Sequence, residues 1–228
     1  MTLGSARHPA RVAVSLLQQG YAVTLVQGPP TLQPELERSF AMWPRNDATF
    51  VANTDAELAG WLRRASALAQ SLPNQAVVDF DTEVQHALAA LPSHEIQSTE
   101  VQRLVRQRVG QDRYRQAMLS YWGGACAVTG LTLSPALRAS HAKPWVVCSS
   151  DSERLDVFNG FLLSANLDAL FDKFLITFSN TGQIMISDKV DELNRQVLGV
   201  YSQMSLRWIA NEHLMYLEFH RGEFSKTF

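Results

Sequence analysis

Between Thr99 and Tyr121, Val101, Leu104, Val105, Tyr114, Met118 and Leu119 recur at helical spacing, and five arginines fall mostly on the other side. A run of this length and period predicts one amphipathic helix, interrupted at Gly110 and stopped by Trp122-Gly123-Gly124. Upstream, Asp55, Leu58, Leu62 and Leu68 suit a second helix that starts after Asn53-Thr54 and ends at Pro73-Asn74. Another candidate runs from Thr82 to Leu91, closed by Pro92. Arg11 to Leu25 reads as two short apolar stretches broken by Gly20, a helix end or strand followed by a strand, with a turn at Gly28-Pro29-Pro30.

Downstream the period shortens. Leu137–Ser140 and Phe161–Ser164 are strand-like, separated by a polar loop from Cys148 to Glu153. Ala165–Asp172 reads as a short helix, with Ser164 or Asn166 placed to cap it, and with Leu167, Leu170 and Phe171 on its core side. Leu175–Phe178 and Gln183–Ser187 flank Ser179-Asn180-Thr181-Gly182, a hairpin signal. Asp188–Leu198 and Ala210–His220 complete the chain as helices.

With 228 residues, 46% of them apolar, the chain can bury a real core as one large domain or two small ones. The expected division is a small N-terminal module over 1–95, α or α+β, and a second domain over 96–228. A net charge of -2 does not by itself point to nucleic acid, but the charge is uneven. Residues 1–95 carry six Arg and Lys against nine Asp and Glu, and residues 96–228 carry fourteen against thirteen. Arg103, Arg106, Arg108, Arg113 and Arg115 are opposed in their own run by Asp112 alone. They form either a solvated helix face or a local patch able to hold phosphate, because screening makes the nearest charges count most. Two cysteines, Cys126 and Cys148, are too few for a disulfide framework or an all-cysteine zinc site. No secretory leader pattern and no apolar run near the length of a membrane span is present, so cytoplasmic residence is expected by elimination.

The residues with chemical potential cluster between Cys126 and Phe178. His141 follows a strand piece and precedes Lys143-Pro144, which places at a fixed strand end an imidazole that is either a structural or surface histidine or a base suited to removing a proton from water. Asp168 and Asp172 stand one turn apart on the short helix, where they either offset the helix dipole or offer oxygens to a hard divalent ion. Asn159 precedes Gly160, a pair that usually marks a tight turn, and its amide is placed to pin the loop opposite His141.

Three motifs, Cys126–Gly130 (C-x-V-T-G), Ala139–Trp145 (ASHAKPW) and Arg154–Asp172 (R-x-D-x-x-NGFLLSANLDALFD), resemble in order and spacing the HNH endonuclease superfamily. Within it they resemble a branch of bacterial restriction-type endonucleases, and Tyr216-Leu217-x-x-His220-Arg221 extends the likeness, which covers about residues 103–221. The resemblance implies an α+β chain whose C-terminal domain is a ββα-metal nuclease with flanking helices and a β-hairpin. It implies His141 as general base, Asn159 as its support, and Asp168 as metal ligand, joined by Ser140 and Asp172. Mg2+ or Mn2+ is the implied cofactor and DNA the partner. Arg138, Lys143 and Arg154 would hold backbone phosphates, extended by Arg103, Arg106, Arg108, Arg113 and Arg115. Many members grip a structural zinc with two C-x-x-C pairs. Here Thr129, Ser164 and Leu167 stand in three of those places, so no structural zinc is expected. Ser140 and Asp168 also depart from the commonest ligand pattern, so a catalytically inactive scaffold that binds nucleic acid or protein is the alternative. One such site cuts one strand at a time, so a double-strand break requires a homodimer or two encounters. The N-terminal module is the expected place for DNA-sequence or partner recognition.

Overall fold

Both apolar stretches of Arg11–Leu25 are strands. They belong to the first of two units, Met1–Gln75 and Ala76–Phe228, in the computed structural model, which describes residues 1–6, 8–73, 75–91 and 98–226. The first unit carries a five-stranded antiparallel sheet in the order β1-β2-β3-β5-β4. Its strands are β1 (Thr2–Ser5), β2 (His8–Leu16), β3 (Tyr21–Gln27), β4 (Arg45–Asn46) and β5 (Thr49–Ala52). Helices α1 (Leu32–Ser39) and α2 (Asp55–Ser71) complete it, so the module is α+β. Thr54 caps α2 by accepting the Glu57 N–H, and the Glu57 carboxylate accepts the Asn53 N–H at 2.6 Å, a reciprocal arrangement that satisfies two otherwise orphaned donors. Leu32, Leu36, Phe50, Trp61 and Leu68 are fully buried between the helices and the sheet.

The second unit opens with α3 (Gln75–Ala89), which begins earlier than the Thr82 expected from sequence; Pro92 and the expected boundary at residue 95 lie outside the described residues. The division after Gln75 has a physical origin, because Asp81 and Glu83 of α3 bond Arg106 and Arg113 of α4 (Thr99–Tyr121). Helix α4 is continuous through Gly110. A Cβ there would meet Trp145 at 2.2 Å, so this glycine admits an indole against the helix instead of interrupting it. Tyr114 and Met118 are buried as expected, whereas Leu104 is 51% exposed.

Strands β6 (Leu137–His141) and β7 (Gly160–Ser164) pair antiparallel, and α6 (Ala165–Phe171) follows β7 without a loop. The polar segment between the strands contains a short helix, α5 (Asp151–Leu155). Asn159-Gly160 is not a tight turn. Gly160 opens β7 opposite His141 at φ +148°, and a Cβ there would lie 1.9 Å from the Ser140 carbonyl oxygen. Ser164 stands at the start of α6, but its hydroxyl bonds Asn166 Oδ1 rather than a helix N–H. The hairpin is β8 (Ile176–Phe178) and β9 (Ile184–Ile186), and α7 (Glu192–Leu198) and α8 (His213–Ser225) close the chain. Leu167, Phe171, Phe161, Phe178 and Leu217 are fully buried, which makes an apolar floor beneath the β6-β7-α6 unit.

Candidate active site

His141 is the last residue of β6, and neighbours from three segments fix its ring. It stacks on Tyr114 of α4 with centroids 3.8 Å apart and planes 17° from parallel, and Trp145 meets it edge-on at 5.9 Å. Its Nε2 lies 2.9 Å from the Arg154 carbonyl oxygen. A carbonyl only accepts, so Nε2 carries the hydrogen and Nδ1 keeps the lone pair. Burial pushes the imidazole pKa down to about 4, against the opposing pulls of the Arg154 carbonyl and the Asp172 charge. His141 is therefore neutral near pH 7 and able to take a proton at Nδ1.

Asp168 lies on the first turn of α6. The Ser140 hydroxyl, from the strand alongside, donates to its Oδ1 at 2.5 Å. Burial raises the Asp168 pKa, the Ser140 hydrogen bond opposes this, and the charge on Asp172 adds to it. His141, Asp168 and Asp172 line one open cleft of about 370 Å³, together with Tyr114, Arg115 and Arg138. Among the described residues no three His, Cys, Asp or Glu side chains converge to hold a metal ion. The donors that are present, a half-desolvated carboxylate beside an exposed one, fit a hard ion of the magnesium type that keeps waters or phosphate in its other positions. They do not fit tetrahedral zinc. Ser140 is directed at Asp168, so its hydroxyl orients the carboxylate.

Asn159 is fully buried and does not line the cleft. Its Oδ1 accepts the Lys143 N–H at 2.8 Å, and its Nδ2 donates to the carbonyl oxygens of Lys143 at 3.2 Å and Glu153 at 2.9 Å. The amide thus clamps both ends of the 143–153 segment, and the residue after Glu153 supplies the carbonyl that orients His141. Tyr114 adds a second brace, its hydroxyl donating to the Asn159 carbonyl at 2.9 Å. This role of Tyr114 has no sequence signal beyond an aromatic residue on an amphipathic helix. That of Trp145 is hinted at by Gly110, an otherwise unfavourable residue in mid-helix.

The cationic residues separate into groups. Arg115 and Arg138 line the cleft and donate to backbone carbonyl oxygens, with no carboxylate ion-paired to either among the described residues, and the Arg138 charge acts across the cleft on Asp168. Lys143 is paired with Glu153 at 2.9 Å, and Arg113 with Glu83. Arg106 bridges Asp81 and Asp151, and Arg154 bonds Asp151 and the carbonyls of Trp145 and Cys148. Arg103 and Arg108 are exposed on α4. The arginine run is therefore not a uniform cationic stripe, because acids of α3 and α5 neutralise part of it.

A histidine at a strand end and a carboxylate on the following helix, facing one cleft across a two-stranded sheet, define a ββα arrangement suited to metal-assisted phosphodiester chemistry. Residues 126–179 match the family model described as HNH endonuclease, and this span contains both strands, α6 and the hairpin's first strand. No curated protein matches the chain. Over this segment the chain is similar to HNH endonucleases, within a mixed α+β architecture that has further modules on either side.

Proposed function

We propose that this protein is a metal-dependent endonuclease that hydrolyses phosphodiester bonds of DNA. The observation that carries the reading is the convergence of a neutral His141, with Nδ1 free of the Arg154 carbonyl, and the Asp168 carboxylate on one open cleft edged by Arg115 and Arg138. His141 Nδ1 accepts a proton from the attacking water, and the Arg154 carbonyl holds the ring in the required tautomer. Arg115 and Arg138 hold the phosphate oxygens. Asp168, with Asp172 beside it, would hold a Mg2+ or Mn2+ ion, whose charge offsets that gathering on the phosphoryl and leaving oxygens. Asn159, Tyr114 and Ser140 are positioning residues, which act through the groups that face the cleft.

Supercoiled plasmid incubated with the protein and Mg2+ or Mn2+ is expected to be nicked first and linearised only where two cuts coincide. His141→Ala should lower the rate by about two to four orders of magnitude, as removal of a general base does. Cutting at full rate by His141→Ala would sink the role given to His141. The absence of a three-ligand cluster among the described residues favours one other reading, a scaffold that binds nucleic acid without turnover. In that case DNA binding persists in EDTA and no ion yields nicked product.

A further inference from the structure

A second cleft of about 360 Å³ adjoins the first, and Trp145 is a wall of both. Arg103, Arg106 and Arg154 line it with Val146, and among the described residues Asp151 is the one carboxylate in the lining. Counting Asp81, which pairs with Arg106 from outside the cleft, still leaves an excess of positive charge. The tip that borders it is built, not loose. The Val147 and Cys148 N–H groups both donate to the Pro144 carbonyl, at 2.9 and 3.2 Å. The Arg154 guanidinium donates to the Trp145 and Cys148 carbonyls and lies 5.7 Å from the Trp145 ring centroid. Trp145 is seated on α4 where Gly110 lacks a side chain. This leaves Val146 84% exposed and Val147 48% exposed on a braced turn. An apolar tip held on a braced turn and flanked by arginines suits insertion against a nucleic-acid groove.

We infer that this second cleft is a DNA subsite that takes the strand flanking the scissile phosphate, with Arg103 on a backbone phosphate and Val146 against the sugar and base edges. The inference rests on the nuclease reading for its substrate class and for the place of the cut. It also sorts the arginines, because Arg108 is exposed on the same helix but lines neither cleft. Each arginine–phosphate pairing releases condensed counterions, so removing one lowers the slope of log affinity against log salt by about one.

The test is anisotropy of a fluorescent DNA duplex with the full chain in EDTA over a range of salt, run beside plasmid cutting in Mg2+. Arg103→Ala should weaken binding and lower the salt slope by about one. Val146→Ser should weaken binding about fourfold or more with the slope unchanged, since the valine contributes apolar area and no charge. Arg108→Ala should leave the slope as it is. Both subsite residues are exposed, so melting temperatures within a degree or two of the parent's are expected and separate weakened binding from impaired folding. Parental affinity and slope in Arg103→Ala and Val146→Ser would overturn the subsite while leaving the nuclease reading standing. A parent chain that binds, loses affinity in these variants and never cuts would uphold the cleft as a DNA-binding subsite and refute both the nuclease and the place given to the cut. Failure of the parent to bind DNA would refute both, and competition by an acidic polypeptide but not by DNA would assign the cleft to a protein partner instead.

Discussion

Acid should destabilise this protein through buried imidazoles, and at His220 the size of the effect can be worked out. His220 sits on α8 with its whole ring buried, stacked at 3.8 Å on Phe171. Its Nε2 donates to the Phe171 carbonyl at 3.0 Å, so its Nδ1 accepts the Thr177 hydroxyl at 2.9 Å. Burial lowers its pKa from 6.5 to about 4. Between these two values the unfolded chain binds a proton that the folded chain does not, so stability rises with pH across this window and is lost as pH falls through it. The full fall is worth about 3 kcal/mol at roughly 1.4 kcal/mol per pH unit, a large part of a typical 5–15 kcal/mol stability. Asp156 acts in the opposite sense. Burial raises its pKa from 3.8 to about 6, so its roughly 3 kcal/mol penalty at neutral pH is relieved as pH falls from 6 towards 3.8. His220→Phe isolates the histidine from that opposing group. At pH 7 it should be about 1–3 kcal/mol less stable than the parent, because Thr177 and the Phe171 carbonyl lose a buried partner. Near pH 4 urea unfolding should find the two proteins equal or their order reversed. Stability curves that stay parallel from pH 7 to pH 4 would refute the reasoning.

Two further outcomes follow from packing. Gly110→Ala should gain about 1 kcal/mol of helix propensity and lose about 1–3 kcal/mol to overpacking, because its Cβ would lie 2.2 Å from the Trp145 ring. Calorimetry should therefore show a lower Tm by a few degrees, with recovery when Trp145→Leu is added, and a rise in Tm for Gly110→Ala alone would contradict the close approach. Arg207→Lys should also lower Tm, since a lysine reproduces neither the fork to the Trp122 and Ala125 carbonyls, at 2.9 and 2.8 Å, nor the stacking on Trp208. EDTA should leave the parent's Tm where it was, and an EDTA-induced fall would reveal a structural metal.

Local signals carry much of the second unit. Helix α4, the two strands around the loop, the short helix behind them and the hairpin all appear from period and turn chemistry, because each carries its own periodic pattern or turn signal whatever it pairs with. His141 and Asp168 are legible for the same reason, since a strand end and the next helix's first turn are local facts. Long-range features are not. The sheet of the first unit depends on pairings such as Val23 with Phe50, and nothing near Arg11–Leu25 distinguishes a helix end from a strand. The arginine run looks uniform in sequence because the acids that neutralise Arg106 and Arg113 lie 25 to 45 residues away, on α3 and α5. Leu104 fits the apolar period of α4 yet stands in solvent, so period alone does not say where a long helix leaves its core.

The turn at Cys126 is closed by its own side-chain and backbone hydrogen bonds. The Cys126 Sγ accepts the N–H groups of Val128 and Thr129 at 3.5 and 3.4 Å. The loop is then closed by backbone, with Gly130 N–H on the Cys126 carbonyl at 3.1 Å and Cys126 N–H on the Leu131 carbonyl at 2.9 Å. Ala127 ties this turn to two distant segments at once, donating to the Leu162 carbonyl of β7 at 2.6 Å and accepting the Arg207 N–H at 2.7 Å. Arg207 then inserts its guanidinium between backbone carbonyls and the indoles of Trp122 and Trp208. A metal centre links separate segments through a few strong bonds; here many weaker ones link the same turn, strand and C-terminal segment, each worth about 1 kcal/mol net. These bonds, together with the aromatic core, fix the positions of β6, β7 and α6, and hence the distance between His141 and Asp168.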